Sequence, residues 1–402
     1  MLLEECAILT LIFRLRQCKI LRKIRNNEGG LELVVMNIVL KNFLAFQEFS
    51  MNMSYPKRIV KTYLEGEHLK DFPSFRYKKL IILLGANASG KTSLGQMLNR
   101  ILNFIMFRNA GLLLGAVRDR NQEAALELDF VISTGAKSEL YRLGVKITPY
   151  SEVSSAELSS YVKKERLRKN DTYERASMRL GQVDEEYTAN YVSELQKIPS
   201  ALGFMFSYPS DVRPTPIRRE DSESYRVVLE KVLKVLDPSI VGVEQVKEAA
   251  NSYSIKFLGG SSVLVQGGET IDSTLLSSGT KAGIAIADIL TAIREHEYGF
   301  YYCDERFTYI QSDVERALLG EMTKFLGDNE QLFFTTHNSD MLDLPYPKHS
   351  YVFLRKRVSG EEIKITAVSA DKFLKRNTDV LRRAVENDLF LSAPCIDGLL
   401  SL

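Results

Sequence analysis

Eight consecutive residues, Gly85-Ala86-Asn87-Ala88-Ser89-Gly90-Lys91-Thr92, match the pattern GxxxxGK[ST], and Ser93 follows. Glycines let the backbone close around a phosphate with successive N–H groups pointing inward. The helix that follows adds its positive end, Lys91 neutralises the outer phosphates, and the Thr92 hydroxyl holds Mg²⁺. A second group, Tyr301-Tyr302-Cys303-Asp304-Glu305, puts an acidic pair at the end of an apolar run. Asp304 suits a metal ligand, and Glu305 suits a group that polarises an attacking water. A third, Gln331-Leu332-Phe333-Phe334-Thr335-Thr336-His337-Asn338, runs from apolar to polar and contains one of only four histidines. Its imidazole suits a donor that bonds a terminal phosphate and senses its loss, although a lone histidine is more often structural. The fourth, Leu276-Ser277-Ser278-Gly279-Thr280-Lys281, heads an apolar helix. Such a turn is either an anion cradle or a plain N-cap.

These residues need elements to hold them. Lys79 to Leu84 reads as a buried parallel strand, and the helix after Gly90 places Leu94, Met97, Leu98, Ile101 and Leu102 on one face. The Asp304 strand starts near Gly299 and should lie beside the strand that ends at His337. Upstream, Asn37 to Phe46 forms a first strand and Phe49 to Met53 pairs back with it. Residues 125–132 and 140–147 form two more strands. Residues 152–200 are polar and helix-prone, and the charged stretch Lys163 to Arg168 reads as a solvated helix face. Pro209, Pro214 and Pro216 mark a loop, Tyr225 to Leu236 returns to helical spacing, and strands recur at Ser252 to Leu258 and Ser262 to Val265. Strand and helix alternate in the final third, which implies a parallel sheet.

The first 35 residues differ from the rest. Arg14, Arg16, Lys19, Arg22, Lys23 and Arg25 alternate with apolar residues before Gly29-Gly30. They form either a basic amphipathic helix or a dispensable extension ahead of a true start at Met36, and we take the second reading. Across the whole chain 53 basic residues nearly balance 51 acidic ones, so overall charge does not indicate nucleic acid. Cys6, Cys18, Cys303 and Cys395 form no CxxC pair, as expected of reduced thiols. No apolar run approaches the roughly 20 residues that span a bilayer. Ala7 to Phe13 is too short, and it follows Glu4 and Glu5 where a leader would be basic. A soluble, cytoplasmic protein without membrane contact is expected.

The order of phosphate loop, LSSGT turn, Asp-Glu strand and Thr-His strand resembles the ABC-type ATPases. The resemblance implies an α/β P-loop NTPase fold with a mixed central sheet flanked by helices, an N-terminal antiparallel β region and an inserted helical lobe. It also implies ATP and Mg²⁺ as cofactors, residues 85–93 around the phosphates, and Thr92 and Asp304 on the metal. Lys91, Glu305 and His337 would act in hydrolysis. Ser277, Ser278 and Gly279 would complete the site of a second copy in a head-to-tail, ATP-bridged homo-oligomer. GTP is disfavoured because no Asn is followed by Lys, as a guanine-reading NKxD motif requires.

Spacing narrows the resemblance. Lys91 and Ser277 are 186 residues apart, Ser277 and Asp304 27, and Asp304 and His337 33. The long first gap is similar to that of SMC, Rad50, RecF and overcoming-lysogenization-defect ATPases, although no heptad run marks a coiled-coil arm. Asn37 to Phe46, GANASGKTSL and FFTTHN are similar to the AAA15/AAA21 group of antiviral defence systems, and most of all to the ATPase subunit of PARIS systems. That likeness covers residues 36–358 and implies a separate effector, such as a TOPRIM nuclease, and a phage-encoded trigger. The alternative is a RecF- or Rad50-like DNA-binding ATPase. Two features depart from the family: Gln311 stands where His or Asp is usual, and the glutamine loop has only Gln122 as a candidate. The expected organisation is 1–35 extension, 36–150 first part of the core, 151–250 helical lobe, 251–358 second part, and 359–402 a strand and helix.

Overall fold

The computed structural model of the chain describes residues 32–57, 63–134, 137–183, 186–208, 222–267, 269–270, 276–360, 362–375 and 380–390. The basic segment 14–25, the loop prolines 209–216, and Cys6, Cys18 and Cys395 lie outside them. A six-stranded sheet forms the centre, in the order Glu362–Ser369, Tyr351–Ser359, Leu80–Leu84, Gln331–Thr335, Phe300–Asp304, Phe204–Ser207. Neighbours run parallel except for the first pair, which is an antiparallel hairpin. The sheet is mixed, as the motif order implied.

Where they pair in parallel, the strands are largely apolar because both faces are covered, and alternate residues join opposite cores. Ile81, Leu83, Phe300, Tyr302 and Phe333 pack with the helix Lys91–Phe107 beneath a five-stranded antiparallel sheet. Leu80, Ile82, Tyr301, Cys303, Leu332 and Phe334 pack against the helices Glu223–Leu236, Ser278–Arg294 and Ser312–Phe325. Each fully buried Leu or Phe contributes about 1.5–3 kcal/mol, so the two layers hold the sheet rigidly under its loops.

The antiparallel sheet runs Phe46–Asn52, Glu32–Phe43, Ala124–Thr134, Lys137–Ile147, Leu158–Arg166. It corrects two expectations. Its second strand begins at Glu32, ahead of the proposed start at Met36. Leu33, Val34 and Val35 are buried, and they pair with Ile132, Val131 and Phe130. The Gln331 amide then ties this strand to the central sheet. Its Oε1 accepts from Val35 N–H at 3.0 Å, and its Nε2 donates to the carbonyls of Val35 at 3.1 Å and Lys78 at 3.0 Å. The extension reading therefore fails for residues 32–35.

The second correction concerns residues 151–250, expected as a helical lobe. The charged stretch from Lys163 begins inside the strand Leu158–Arg166, not on a solvated helix face. Lys163 is buried because its apolar stem covers the sheet while Nζ lies over the Tyr161 ring and donates to the Val183 carbonyl. The helices Tyr173–Gly181, Tyr191–Leu195 and Glu223–Leu236 are present, but the segment also holds the strands Phe204–Ser207 and Ile240–Gln245. Ile240–Gln245 starts a small antiparallel sheet with Ser252–Phe257, Ser262–Gln266 and Glu269–Thr270, which precedes the helix Ser278–Arg294. The hairpin Tyr351–Ser359/Glu362–Ser369 and the short helix Leu381–Glu386 complete the described chain.

Candidate active site

Parallel pairing brings three loops to one edge of the central sheet. Register places Asp304 opposite Thr335, and Thr335 opposite Leu83, so the acidic pair, the histidine turn and the phosphate loop leave the sheet side by side. The loop itself is tightly wound. A Cβ on Gly85 would fall 2.6 Å from the Leu354 carbonyl oxygen, and Gly90 takes φ 104° at the helix N-terminus. Ala88, at φ 60°, adopts the left-handed conformation without being glycine, a local strain of about 1 kcal/mol or more that functional loops commonly hold. Ser89 Oγ is buried in this loop without a hydrogen-bond partner. An orphaned hydroxyl next to inward-facing amides fits an anionic oxygen.

Lys91 is 3% exposed, and its ammonium reaches several acceptors. It donates to the carbonyls of Gly85 at 2.7 Å and Ala86 at 3.3 Å, and lies 3.4 Å from both His337 Nδ1 and Glu305 Oε1. Burial lowers its pKa, and the Glu305 charge opposes that shift. Next to it, Thr92 Oγ1 donates to Asp304 Oδ2 and Thr335 Oγ1 to Asp304 Oδ1, both at 2.7 Å. Asp304 is fully buried, which raises its pKa, while these two hydroxyls favour the ionised form. Thr92 and Asp304 present the hard oxygens that Mg²⁺ prefers. Among the described residues no cluster of three His, Cys, Asp or Glu could hold a metal, so the remaining ligands would come from phosphate and water.

Glu305 follows the strand at φ 42°, held there by its amide donating to Thr335 Oγ1 at 2.9 Å. Thr308 Oγ1 donates to its carbonyl at 2.7 Å. The turn aims Glu305 Oε1 to within 2.9 Å of His337 Nε2. Lys91, Thr92, Asp304, Glu305 and His337 are therefore gathered as the sequence predicts. A cleft of about 300 Å³ opens beside Glu305 and His337, floored by Phe307, Ile310 and Glu315.

The serine-glycine turn is arranged differently. Ser277 caps the helix, its Oγ accepting from Thr280 N–H at 3.1 Å, so the N-cap reading of this residue holds. Ser277 and Ser278 are exposed, and a Cβ on Gly279 would approach the Tyr309 carbonyl oxygen to 3.0 Å. Within one chain the turn thus lies close beside the loop after Glu305 and is open to solvent. Gln311 precedes the helix Ser312–Phe325 without a side-chain capping bond. Gln122 is exposed in a loop braced by Asn42, whose Nδ2 donates to its carbonyl at 3.1 Å.

Several supporting residues escaped the sequence reading. Tyr302 OH donates to the Lys91 carbonyl at 2.7 Å, and its ring occupies the space where a Cβ on Gly95 would stand, 2.5 Å away. Arg306 is buried and donates from Nε to Ser207 Oγ at 2.9 Å, tying the loop after Glu305 to the sheet edge. Glu315 bonds to both neighbours of His337. Their partners lie 211, 99 and about 20 residues away, so no local pattern announces them.

No protein-family model matches the chain, and no curated protein matches it. Among solved structures it is similar to an SMC head bound to the C-winged helix domain of ScpA, at 12% identity and TM-score 0.48, covering 85% of this chain and 99% of that one. It is also similar to the SMC head domain from Thermotoga maritima, at 14% identity and TM-score 0.41, covering 83% and 98%. An SMC head with an extended coiled coil bound to the C-terminal domain of ScpA, from Pyrococcus furiosus, gives 12% identity and TM-score 0.49, covering 85% and 98%.

Proposed function

We propose that the chain binds ATP with Mg²⁺ and hydrolyses it in the manner of ABC-type ATPases, two copies enclosing the nucleotide head to tail. One observation carries the reading: five side chains from three distant segments join through contacts of 2.7 to 3.4 Å at the mouth of a phosphate-binding loop. In this reading Lys91 exchanges the Gly85 carbonyl for phosphate oxygens, while the Ser89 hydroxyl and the loop amides donate to the same oxygens. Thr92 and Asp304 hold the metal, whose charge offsets that of the phosphates. Glu305 accepts a hydrogen bond from the attacking water and orients it. His337 uses its Nε2–H to keep Glu305 in place until nucleotide binds, and to reach the terminal phosphate afterwards. The exposed Ser277–Gly279 turn serves the neighbouring copy, as its outward position allows.

The test is phosphate release with nucleotide binding and native mass measured in parallel. Lys91→Met should abolish binding or turnover. Glu305→Gln should retain ATP, lose turnover and trap the larger assembly. Turnover unaffected by Glu305→Gln would remove that residue from its role, and a mass indifferent to ATP would remove the second copy.

For the biological role, we infer control of a separate effector, such as a TOPRIM nuclease released on sensing a phage protein. The support is the wording of the motifs and the long insertion between Lys91 and Ser277. Tight, steeply salt-dependent DNA binding by the isolated chain would instead favour a RecF- or Rad50-like clamp.

A further inference from the structure

The turn that carries His337 is gripped by a single carboxylate. Thr336 Oγ1 donates to Glu315 Oε1 at 2.7 Å, and Asn338 Nδ2 donates to Glu315 Oε2 at 2.8 Å. The residues on either side of the histidine thus bind the two oxygens of one side chain. Glu315 is 3% exposed in the first turn of the helix Ser312–Phe325. A buried carboxylate is costly unless donors satisfy it, and here the donors come from the segment that must be positioned. Asn338 Nδ2 also donates to Ser312 Oγ at 2.9 Å, and the Asn338 amide to Thr336 Oγ1 at 3.0 Å, so the turn is closed on itself. The His337 ring is 38% exposed and borders the 300 Å³ cleft, so its placement depends on its contacts with Glu305 and Lys91 and on the backbone that carries it.

We propose that Glu315 is a positioning residue that sets the His337 imidazole against Glu305 by holding Thr336 and Asn338. The role rests on the ATPase reading above. Two donors converge on it, and a carboxylate supplies two acceptors where a glutamine amide supplies one. Glu315→Gln therefore keeps the volume and breaks one of the two bonds, releasing one side of the turn.

The test uses the full chain with ¹³C-labelled histidine. The four histidines are His68, His296, His337 and His349, and a His337→Asn variant assigns the signal of interest. Glu315→Gln should move or broaden the His337 resonance and leave the other three in place. In turnover, kcat should fall about tenfold with KM for ATP unchanged, as expected from misplacing one group. In a His337→Ala background the same substitution should have no further effect. An unmoved His337 resonance, or an equal loss of kcat without His337, overturns the proposal. Glu315→Asp, which shortens the reach but keeps the charge, gives the same readings at smaller amplitude should the glutamine variant not fold. The resonance is read without nucleotide. A moved resonance in a chain that hydrolyses no ATP keeps the positioning contact and sinks the ATPase reading. Turnover with an unmoved resonance does the reverse.

Discussion

At the C-terminal ends of the parallel strands, Lys91 divides its ammonium among two carbonyls, Glu305 and His337 over 2.7 to 3.4 Å. At their N-terminal ends a second buried group holds charge in another way. There Lys78 donates to Ser369 Oγ at 3.0 Å, and His349 Nε2 lies 2.6 Å from Glu67 Oε1 with the Tyr55 ring stacked on it at 3.9 Å. Lys78, Glu67 and His349 are all 5% exposed or less, whereas His337 and Glu305 are 38% and 23% exposed on their side chains. The residue types are the same at both ends. One end offers its lysine four partners at 2.7 to 3.4 Å beside partly exposed side chains, while the other gives its lysine Ser369 Oγ and its histidine Glu67 in a sealed interior. Exchangeable partners at an accessible mouth distinguish a place for chemistry from a buried ion pair that belongs to the framework.

Four measurements bear on this contrast. The largest effect is expected from paired lysine variants. Lys91→Met should cut phosphate release by about a thousandfold or more, the scale of losing a phosphate-neutralising cation. Lys78→Met should leave turnover unchanged. Equal losses would erase the distinction between the two ends. Next come the histidines. His349→Ala leaves Glu67 buried and unpaired and should destabilise by about 3–5 kcal/mol in denaturant unfolding. His337→Ala, at the partly exposed mouth, should change stability by less than about 1 kcal/mol.

A third effect concerns Glu330, at the sealed end. Burial pushes its carboxyl up to about 7 from 4.5, against the Gly327 N–H, His296 and Lys79, which favour the ion. The folded chain thus binds this proton more tightly than the unfolded chain does. The associated stability is complete below about pH 4.5 and declines as pH rises through 7, by about 3 kcal/mol in all. Melting temperatures between pH 5 and 8 should show the decline, and Glu330→Gln should flatten it. The smallest effect belongs to the capping turn. Ser277→Ala should cost about 1 kcal/mol of stability through the lost bond to Thr280 N–H. A larger loss of turnover than of stability would give that serine a second duty across an interface.

The site was legible where chemistry is written contiguously. The phosphate loop, the acidic pair and the Thr-His turn each end a strand of the parallel sheet, so naming the strands placed Lys91, Thr92, Asp304, Glu305 and His337 together. What lay hidden depends on contacts between distant segments. Gly95 looks like any helical glycine until the Tyr302 ring is seen in its place. Glu315 looks like one more charge on an amphipathic helix until Thr336 and Asn338 reach it. Lys163 to Arg168 misled for the opposite reason: the charge run suggested solvent, but its first lysine snorkels over Tyr161 and the strand is half covered. At the N-terminal edge, Met36 drew attention as a start. The apolar triplet Leu33 to Val35, with Gln331 awaiting it across the sheet, was the stronger signal.

Gly279 leaves little room for a side chain, since a Cβ there would stand 3.0 Å from the Tyr309 carbonyl oxygen, so the serine-glycine corner lies beside the stretch that follows Glu305. Tyr309 sits four residues past Glu305, on a stretch pinned through Thr308 and Arg306. In the proposed ATPase, pressure on that corner from outside would reach Glu305 of the same chain through that stretch. Were two copies to enclose nucleotide head to tail as proposed, lending the corner to a neighbour would bear on the lender's own pocket, and the two pockets would fire in concert rather than independently.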